Sequence, residues 1–406
     1  MTAPASTPLV YVLAGEPSGD NLGGRIMQAL KARAAVPLSF VGVGGERMVG
    51  EGLETLVPLS ELSIMGLAEI LPHVPRMYRL IYRLAADIRA RRPAVVLTID
   101  NTAFNFAVAN RARGYGIPLV HLNAPKVWAY RPGRVRRVAR YYDHLLCLLP
   151  FEPPYFHRVG MPASFIGHPV VESGADRGEG RRFRARHDIP AAATLLCVLP
   201  GSRGGELERL LPDFGGAVAQ LAEARPGLRV IVPTVRAQES RVRAAVAVWP
   251  LNPIVVVDES EKFDAFAASD VALAASGTVS LELNLARVPT VIAYRVSAVS
   301  AALVRAMVRV RHITIANLVL GDRSVIPEFT QEDCTPEKLS RAVLALLDDP
   351  AAAAEQVRQA GEAMRALGYG GPPPSLRAAE ILLDVAGIAR RPRSSTIAAG
   401  DAAACA

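Results

Sequence analysis

The chain has 406 residues, half of them hydrophobic, which excludes a disordered protein and allows two α/β domains. A formal net charge of +8 indicates an anionic partner: a phosphate, a nucleotide, a nucleic acid or an acidic membrane. Four cysteines without CxxC spacing favour a reduced, cytosolic protein, and no apolar run is long enough for a signal peptide or a membrane span.

The chain opens with a predicted strand, residues 9–15, followed by a polar loop, residues 16–20, and a helical pattern to about residue 34. Open parallel sheets bind ligands at the carboxyl ends of their strands, so the loop is a candidate binding loop. A capped helix start, with Ser18 as the N-cap, explains it equally well. The glycine spacing here and after the next strand, 38–44, does not match the dinucleotide fingerprint, which argues against a Rossmann oxidoreductase.

Residues 62–92 combine an apolar, Met-containing segment with a following stripe of arginines. Prolines 72 and 75 exclude one continuous helix through the segment. Apolar residues beside arginines are typical of a membrane-surface patch. A helix packed on the sheet with solvated arginines is the more common origin of this pattern.

Two further predicted strands lead into residues that could act in catalysis or ligand binding. Strand 94–100 ends in Asp100, which could act as a general base, hold a sugar hydroxyl, or simply cap the next helix. Strand 119–123 leads to Trp128 and a cluster of arginines that begins at Arg131. The tryptophan is either a core residue or part of a site for a phosphorylated or membrane-borne ligand.

The second half repeats the alternation after a polar, Gly-rich stretch, residues 170–182, that predicts a domain boundary. Strand 195–199 runs into a Gly-rich turn and a helix from about residue 206, and strand 271–275 runs into a second such turn. Helix N-termini at glycine-rich turns present free N–H groups that bind phosphate. An ordinary strand–helix turn would look the same when taken alone.

The side chains around these two turns fit a nucleotide. Ser202 and Arg203 add a hydroxyl and a planar cation suited to phosphate oxygens. Glu282 lies one turn into the second helix and could accept both hydroxyls of a ribose, or be a surface glutamate. After helices 336–348 and 351–367, a Gly/Pro break precedes an amphipathic helix, 376–389, and residues 390–406 are predicted to be disordered.

Taken together, these motifs resemble the lipid-A-disaccharide synthase family. The match extends from residue 9 to about residue 345, in the family's order. The motifs that carry it are AGEPSGD (14–20), GVGGERM (42–48), SIMGLAEIL (63–71), ID and FN (99–105), APKVWAYR (124–131), LPFE (149–152), FIGHP (165–169), LPGSRGGE (199–206), ASGTVSLE (275–282), ANLVLG (316–321) and PEFTQEDC (327–334).

The resemblance implies a GT-B fold, in which two Rossmann-like parallel-sheet domains face each other across a cleft. It places the acceptor and lipid side at residues 1–170, the UDP-sugar domain at 181–367, and helix 376–389 across the first domain. It implies inverting transfer of 2,3-diacylglucosamine from UDP to 2,3-diacylglucosamine 1-phosphate (lipid X), in lipid A and lipopolysaccharide biosynthesis. The expected location is the cytoplasmic face of the inner membrane, with no metal or other cofactor, no nucleic acid, and a homodimer as one option.

The resemblance also implies residue roles, with Asp100 as the catalytic base and no metal ligands. Its acceptor-side residues are Glu16, Ser18, Gly19, Asp20, Trp128 and Arg131. Its UDP-binding residues are Ser202, Arg203, Gly204, Ser276, Gly277, Thr278, Glu282, Asn317 and Gln331. Its lipid contacts are Met65, Leu67, Ile70, Leu71 and Val74.

The chain departs from the family pattern in two places: Ala103 stands where a second acid is usual, and Lys126 stands where a serine is frequent. Activity is still expected, because Asp100 and Trp128 are retained. Two alternatives remain: another GT-B enzyme of the UDP-GlcNAc type, such as an epimerase or a lipid-linked sugar transferase, or a non-enzymatic nucleic-acid-binding protein. The second lacks support, because the arginines are scattered and no recognition motif is visible.

Overall fold

A computed structural model describes residues 7–61, 74–130, 132–297, 301, 310–321 and 323–392. Within these ranges the chain forms two parallel β-sheets, each covered by helices. Most residues of the apolar runs that predicted strands are buried, as in β-sheets with helices on both faces. The predicted α/β class with two Rossmann-like sheets is confirmed.

The first sheet has seven strands in the order β3-β2-β1-β4-β5-β6-β7. The order reverses between β1 and β4, and ligands bind beside such a reversal in open α/β sheets. Its elements are β1 (Leu9–Ala14), α1 (Pro17–Arg33), β2 (Ser39–Val43), α2 (Glu46–Gly50), β3 (Leu53–Thr55), α3 (Val74–Arg91), β4 (Val95–Ile99), α4 (Thr102–Ala112), β5 (Leu119–Leu122), α5 (Arg134–Tyr141), β6 (His144–Cys147), α6 (Pro153–His157) and β7 (Ala163–Phe165).

The second sheet has six strands in the order β10-β9-β8-β11-β12-β13, so its reversal lies between β8 and β11. These two strands lead into the two predicted phosphate-binding turns. Its elements are α7 (Gly180–Arg186), β8 (Leu195–Leu199), α8 (Gly204–Ala224), β9 (Arg229–Pro233), α9 (Glu239–Val246), β10 (Ile254–Val256), α10 (Glu259–Ala268), β11 (Val271–Ala275), α11 (Thr278–Leu285), β12 (Thr290–Tyr294), α12 (Ile315–Val319), β13 (Glu328–Thr330), α13 (Pro336–Asp348) and α14 (Pro350–Ala366).

The last helix, α15 (Pro374–Val385), packs against the first sheet's helix α1. Its apolar face, which includes Leu382 and Leu383, is fully buried in the first domain's core. Ser375 at its start donates its backbone N–H to Glu172, 3.0 Å away. The predicted crossing of the C-terminal helix to the first domain is thus confirmed.

A separate apolar cluster joins the two domains. Leu149 and Val170 from the first half pack with Leu281 of α11 and with Met364 and Leu367 near the end of α14. Because α11 also begins at a predicted phosphate-binding turn, its buried side connects that turn to the domain junction.

Several elements differ from the sequence predictions. The three-residue strands β3, β7 and β13 and the short helix α2 were not predicted. Helix α8 begins at Gly204, two residues earlier than expected. Of the predicted lipid contacts, residues 65–71 lie outside the described residues, as does most of a helix predicted at 299–310, and Val74 begins α3.

Candidate functional site

The turn after β8 is held by Glu206. Its Oε2 accepts the backbone N–H groups of Ser202 (3.3 Å) and Arg203 (3.4 Å). Gly201 has φ +119°, and a Cβ there would lie 2.8 Å from the same carboxylate oxygen, so glycine is required. Glu206 therefore uses two of the N–H groups that were expected to face phosphate. The Arg203 side chain is 71% exposed and makes a 3.5 Å ion pair with Glu206 Oε1.

The turn after β11 is open. Helix α11 begins at Thr278, and its N-cap residue, Gly277, has no side chain that could occupy the first N–H groups. Ser280 donates both its hydroxyl (2.7 Å) and its backbone N–H (3.2 Å) to the Gly277 carbonyl, so neither group occupies the N–H groups of Thr278 and Val279. This helix N-terminus is the stronger of the two candidate phosphate sites.

The two turns face one cavity of about 420 Å³. It gathers six of the nine predicted UDP-binding residues from two distant parts of the chain: Ser202, Arg203, Ser276, Gly277, Thr278 and Glu282. The Glu282 side chain is 15% exposed, so it is a cavity residue and not a surface glutamate. Lys262 of α10 also lines the cavity, and its Nζ lies 3.0 Å from both Glu282 carboxylate oxygens.

The other three predicted UDP residues lie outside the cavity lining. Gly204 is the first residue of α8. Asn317 is fully buried, and its amide bonds to Glu328 and to the backbone of residues 325 and 326. The Gln331 amide atoms lie 3.2 Å from the backbone N and O of Val296. In this structure Asn317 and Gln331 hold loops of the second domain together.

A second cavity of about 520 Å³ adjoins the first at the domain junction. Glu259, Lys262 and Glu282 line both cavities. Side chains of α1 and Arg47 of α2 line the opposite wall of the second cavity. The Lys262–Glu282 pair therefore lies between the nucleotide-sized cavity and the first domain.

Asp100 lies at the carboxyl end of β4, beside the reversal in strand order of the first sheet. The N-cap of α4 is Asn101, whose side chain accepts from the Phe104 N–H, so Asp100 is not needed as a cap. Its carboxylate accepts a hydrogen bond from the Asn123 amide. Burial raises the pKa of Asp100, the Asn123 hydrogen bond lowers it, and the nearby Glu16 charge raises it.

The AGEPSGD and GVGGERM motifs contact each other through Asp20. This carboxylate is 6% exposed and accepts the backbone N–H groups of Gly45 (2.8 Å), Arg47 (3.1 Å) and Met48 (3.1 Å). Asp20 thus anchors the start of α2. Gly19 is buried, whereas Glu16 and Ser18 are exposed at the start of α1, and Ser18 is not the N-cap. Of this predicted acceptor-side group, Glu16 is the residue that lies near Asp100.

Trp128 lies at the domain junction. Its indole N–H donates to Glu152 (3.1 Å), and its ring meets Phe151 edge-on with centroids 5.2 Å apart. Glu152 is 2% exposed and also accepts the N–H groups of Leu148 and Leu149. Burial raises the pKa of Glu152 to about 7. Arg131, predicted beside Trp128 on the acceptor side, lies outside the described residues.

Within the described residues, no group of three His, Cys, Asp or Glu side chains is placed to hold a metal ion. No helix in the same ranges is both long enough and apolar enough to cross a bilayer.

Comparison with known proteins identifies the family. The family model for lipid-A-disaccharide synthetase matches residues 10–368. The chain belongs to this family. A lipid-A-disaccharide synthase from Rhodospirillum centenum is 52% identical over 93% of this chain and 94% of that protein. Another, from Paramagnetospirillum magneticum, is 48% identical over 93% of this chain and 97% of that protein.

Solved structures support the fold of this lipid-A-disaccharide synthetase family member. A UDP-GlcNAc 2-epimerase from Neisseria meningitidis bound to UDP-GlcNAc matches with a TM-score of 0.62 at 12% identity, covering 93% of this chain and 98% of that one. The glycotransferase of kitacinnamycin matches with a TM-score of 0.62 at 17% identity, covering 94% and 99%. The predicted resemblance is confirmed: the chain is a GT-B glycosyltransferase of lipid A biosynthesis.

Three residues that contact the candidate site residues of this lipid-A-disaccharide synthetase family member were not predicted from the sequence. Lys262 sits in an ordinary-looking helix, and its pairing with Glu282 joins residues 20 apart in sequence. Asn123 ends a strand, and Glu152 was seen only as part of the LPFE motif. The one signal in the sequence was an asparagine directly after a strand. Its left-handed backbone conformation is visible only in the structure, because φ cannot be read from sequence.

Proposed function

We propose that this chain transfers 2,3-diacylglucosamine from its UDP conjugate to the 6-hydroxyl of 2,3-diacylglucosamine 1-phosphate, forming a β-1,6-linked disaccharide 1-phosphate and UDP. The observation that carries the proposal is the cavity that gathers Ser202, Arg203, the N-terminus of α11 and Glu282. Phosphate-binding turns beside a carboxylate are what a ribose diphosphate requires. Family membership supplies the sugar and the acceptor.

In the proposed reaction the acceptor O6 attacks the anomeric carbon of the donor. The C1–O bond to UDP breaks from the opposite face, and UDP leaves with the electron pair, so the configuration inverts. Asp100 takes the proton from the 6-hydroxyl. Its partial burial and the adjacent Glu16 raise its proton affinity, as suits a base.

The leaving diphosphate gains negative charge as the bond breaks. Arg203 and the N–H groups at the start of α11 face the cavity and stabilise that charge. Lys262 adds a second cation at the cavity wall. We propose that these groups stabilise the leaving diphosphate without a divalent metal, and undiminished turnover in EDTA would support this.

We place the reaction at the cytoplasmic face of the inner membrane, because both substrates carry acyl chains. Helix α3 presents Tyr78 (53% exposed) and Tyr82 (60%) beside the arginines at positions 76, 79 and 83. Aromatic rings next to arginines suit an anionic lipid surface. Co-sedimentation with anionic vesicles tests this membrane association. Binding unchanged by Met65→Ser with Leu67→Ser, or by Tyr78→Ser with Tyr82→Ser, would contradict it.

A homodimer stays a prediction that light scattering can test.

The reaction itself is tested by mass spectrometry with UDP-2,3-diacylglucosamine and 2,3-diacylglucosamine 1-phosphate in detergent micelles. The expected products are a tetra-acyl disaccharide monophosphate and UDP in equal amounts. Asp100→Asn should abolish product formation while UDP still raises the melting temperature, because UDP binds in the other domain. UDP binding by the unaltered protein without any disaccharide would overturn the proposed acceptor.

A further inference from the structure

Asp100 and Asn123 directly follow two adjacent strands. Strands β4 and β5 pair in parallel, with Thr98 opposite His121 and Ile99 opposite Leu122, and Asp100 and Asn123 are the residues that come after this last pair. The Asn123 side-chain amide, Nδ2, donates to Asp100 Oδ1. The contact therefore joins the carboxyl ends of two neighbouring strands.

Both residues adopt left-handed backbone conformations, with φ +52° at Asp100 and +80° at Asn123. Such conformations are costly for most side chains, and Asn and Asp tolerate them best. Asn105 Nδ2 donates to the Asp100 carbonyl (2.9 Å), which fixes the Asp100 backbone from α4. Strained residues held by their surroundings are concentrated at functional sites.

The layer beneath this pair carries no positive charge. Thr98 Oγ1 lies 2.7 Å from His121 Nδ1, both residues are buried, and burial lowers the pKa of His121 to about 3, so its ring is neutral. From the loop after β1, Glu16 adds a negative charge near Asp100. Among the described side chains, Asn123 is therefore the group that hydrogen-bonds the carboxylate and favours its ionised form.

We propose that Asn123 is a positioning residue for the transfer: its amide holds one oxygen of Asp100 and stabilises the ionised carboxylate, leaving the second oxygen to accept the acceptor's proton. This inference rests on the proposed role of Asp100 as the base. The hydrogen bond opposes the effects of burial and of Glu16 on the Asp100 pKa.

The test is the pH dependence of kcat/KM in Asn123→Gly and Asn123→Asp. Glycine accepts φ +80° and removes the amide. This variant should shift the acid limb of the profile, the low-pH range in which kcat/KM falls because Asp100 becomes protonated, up by about one pH unit. Activity should then be roughly tenfold lower at pH values below the limb and largely recover above it. Aspartate keeps the shape but places a second carboxylate beside Asp100, and should move the limb further in the same direction.

Asn101→Gly is the matched control. Asn101 is the neighbouring left-handed residue (φ +34°), and its side chain contacts the Phe104 N–H instead of the Asp100 carboxylate. Its loss should lower stability without moving the acid limb. UDP binding and melting temperature check that each variant is folded, and the near-isosteric Asn123→Asp decides the question if the glycine variant does not fold.

The outcomes separate the two ideas. If Asp100→Asn keeps activity within a few-fold of the unaltered protein, the base assignment fails, and the role of Asn123 fails with it. If Asp100→Asn is inactive but the Asn123 variants lower kcat equally at every pH, Asp100 stands and the inference about Asn123 is overturned. An upward shift of the limb in the Asn123 variants alone supports it.

Discussion

Lys262 Nζ lies 3.0 Å from each carboxylate oxygen of Glu282, at the wall that separates the nucleotide-sized cavity from the domain junction. The pairing is symmetric, so it orients the plane of the carboxylate while leaving further lone pairs on both oxygens. A carboxylate held in this way can accept two adjacent hydroxyl groups, as a ribose presents them.

We therefore predict that Glu282→Gln weakens UDP binding by roughly 10- to 150-fold, since a hydrogen bond to a charged group contributes about 1.5–3 kcal/mol. The loss should be much smaller for 2′-deoxy-UDP, which lacks one of the hydroxyls. Isothermal titration with both ligands measures this. Glu355→Gln, on the exposed surface of α14, is the control and should bind UDP normally. Equal losses for both ligands would remove Glu282 from the ribose site.

A second prediction concerns the diphosphate. Arg203→Ala should weaken UDP binding by about 1–3 kcal/mol but leave uridine binding almost unchanged, because the guanidinium would contact phosphate oxygens only. Arg203→Lys should recover part of the loss. Arg243→Ala, in an exposed ion pair on α9, controls for the removal of a positive charge. A uridine affinity that fell together with that of UDP would show that Arg203 supports the turn instead.

A third prediction follows from the buried Glu152. Its pKa of about 7 in the folded chain exceeds its ordinary 4.5, so the folded state holds the proton more tightly. The stabilisation is fully present below about pH 4.5 and is lost as the pH rises through 7, a change of roughly 3 kcal/mol. Urea unfolding at pH 5 and pH 8 should show a larger fall for the unaltered protein than for Glu152→Gln. Equal falls would mean that Glu152 does not titrate in this range.

A fourth prediction tests the crossing helix. Leu382→Ala should lower the free energy of unfolding of the first domain by about 2–5 kcal/mol, as expected for a fully buried leucine. Asp384→Ala, exposed on the same helix, should cost about 1 kcal/mol or less. Denaturant unfolding followed by circular dichroism measures both. Similar costs for the two variants would mean that α15 is not docked on α1 in solution.

Strands and turns that depend on a local sequence pattern were predicted correctly. The buried strands β1, β4, β8 and β11 follow from their apolar runs, and for β1, β8 and β11 a glycine within two residues of the end of the run marks the turn. Strands β3, β7 and β13 escaped prediction because three residues are too few to show a period, and each lies at or near a sheet edge.

Residue roles were harder to predict than elements. In the sequence, Asp20 looks like a polar loop residue. In the fold, the pairing of β1 with β2 brings it to the start of α2, where its buried carboxylate accepts the Gly45 N–H. Asn317 reads as a ligand-binding amide, and its position under Glu328 depends on the folding of a loop. Motifs identified the family, whereas burial and register determine which motif residues face the cavities.

The two glycines at the domain crossing, Gly167 (φ +100°) and Gly368 (φ +104°), have a mechanical consequence. A Cβ on Gly368 would lie 3.4 Å from Gly167 Cα, and His168 N donates to Leu367 O (2.9 Å), so the outgoing and returning chains touch where they pass between domains. Together with the apolar cluster beside it, this crossing would act as the pivot for any rotation of one domain against the other. Helix α11, packed beside that pivot, would move least as the cleft opens, so the nucleotide anchor would stay in place while the distance to Asp100 changes.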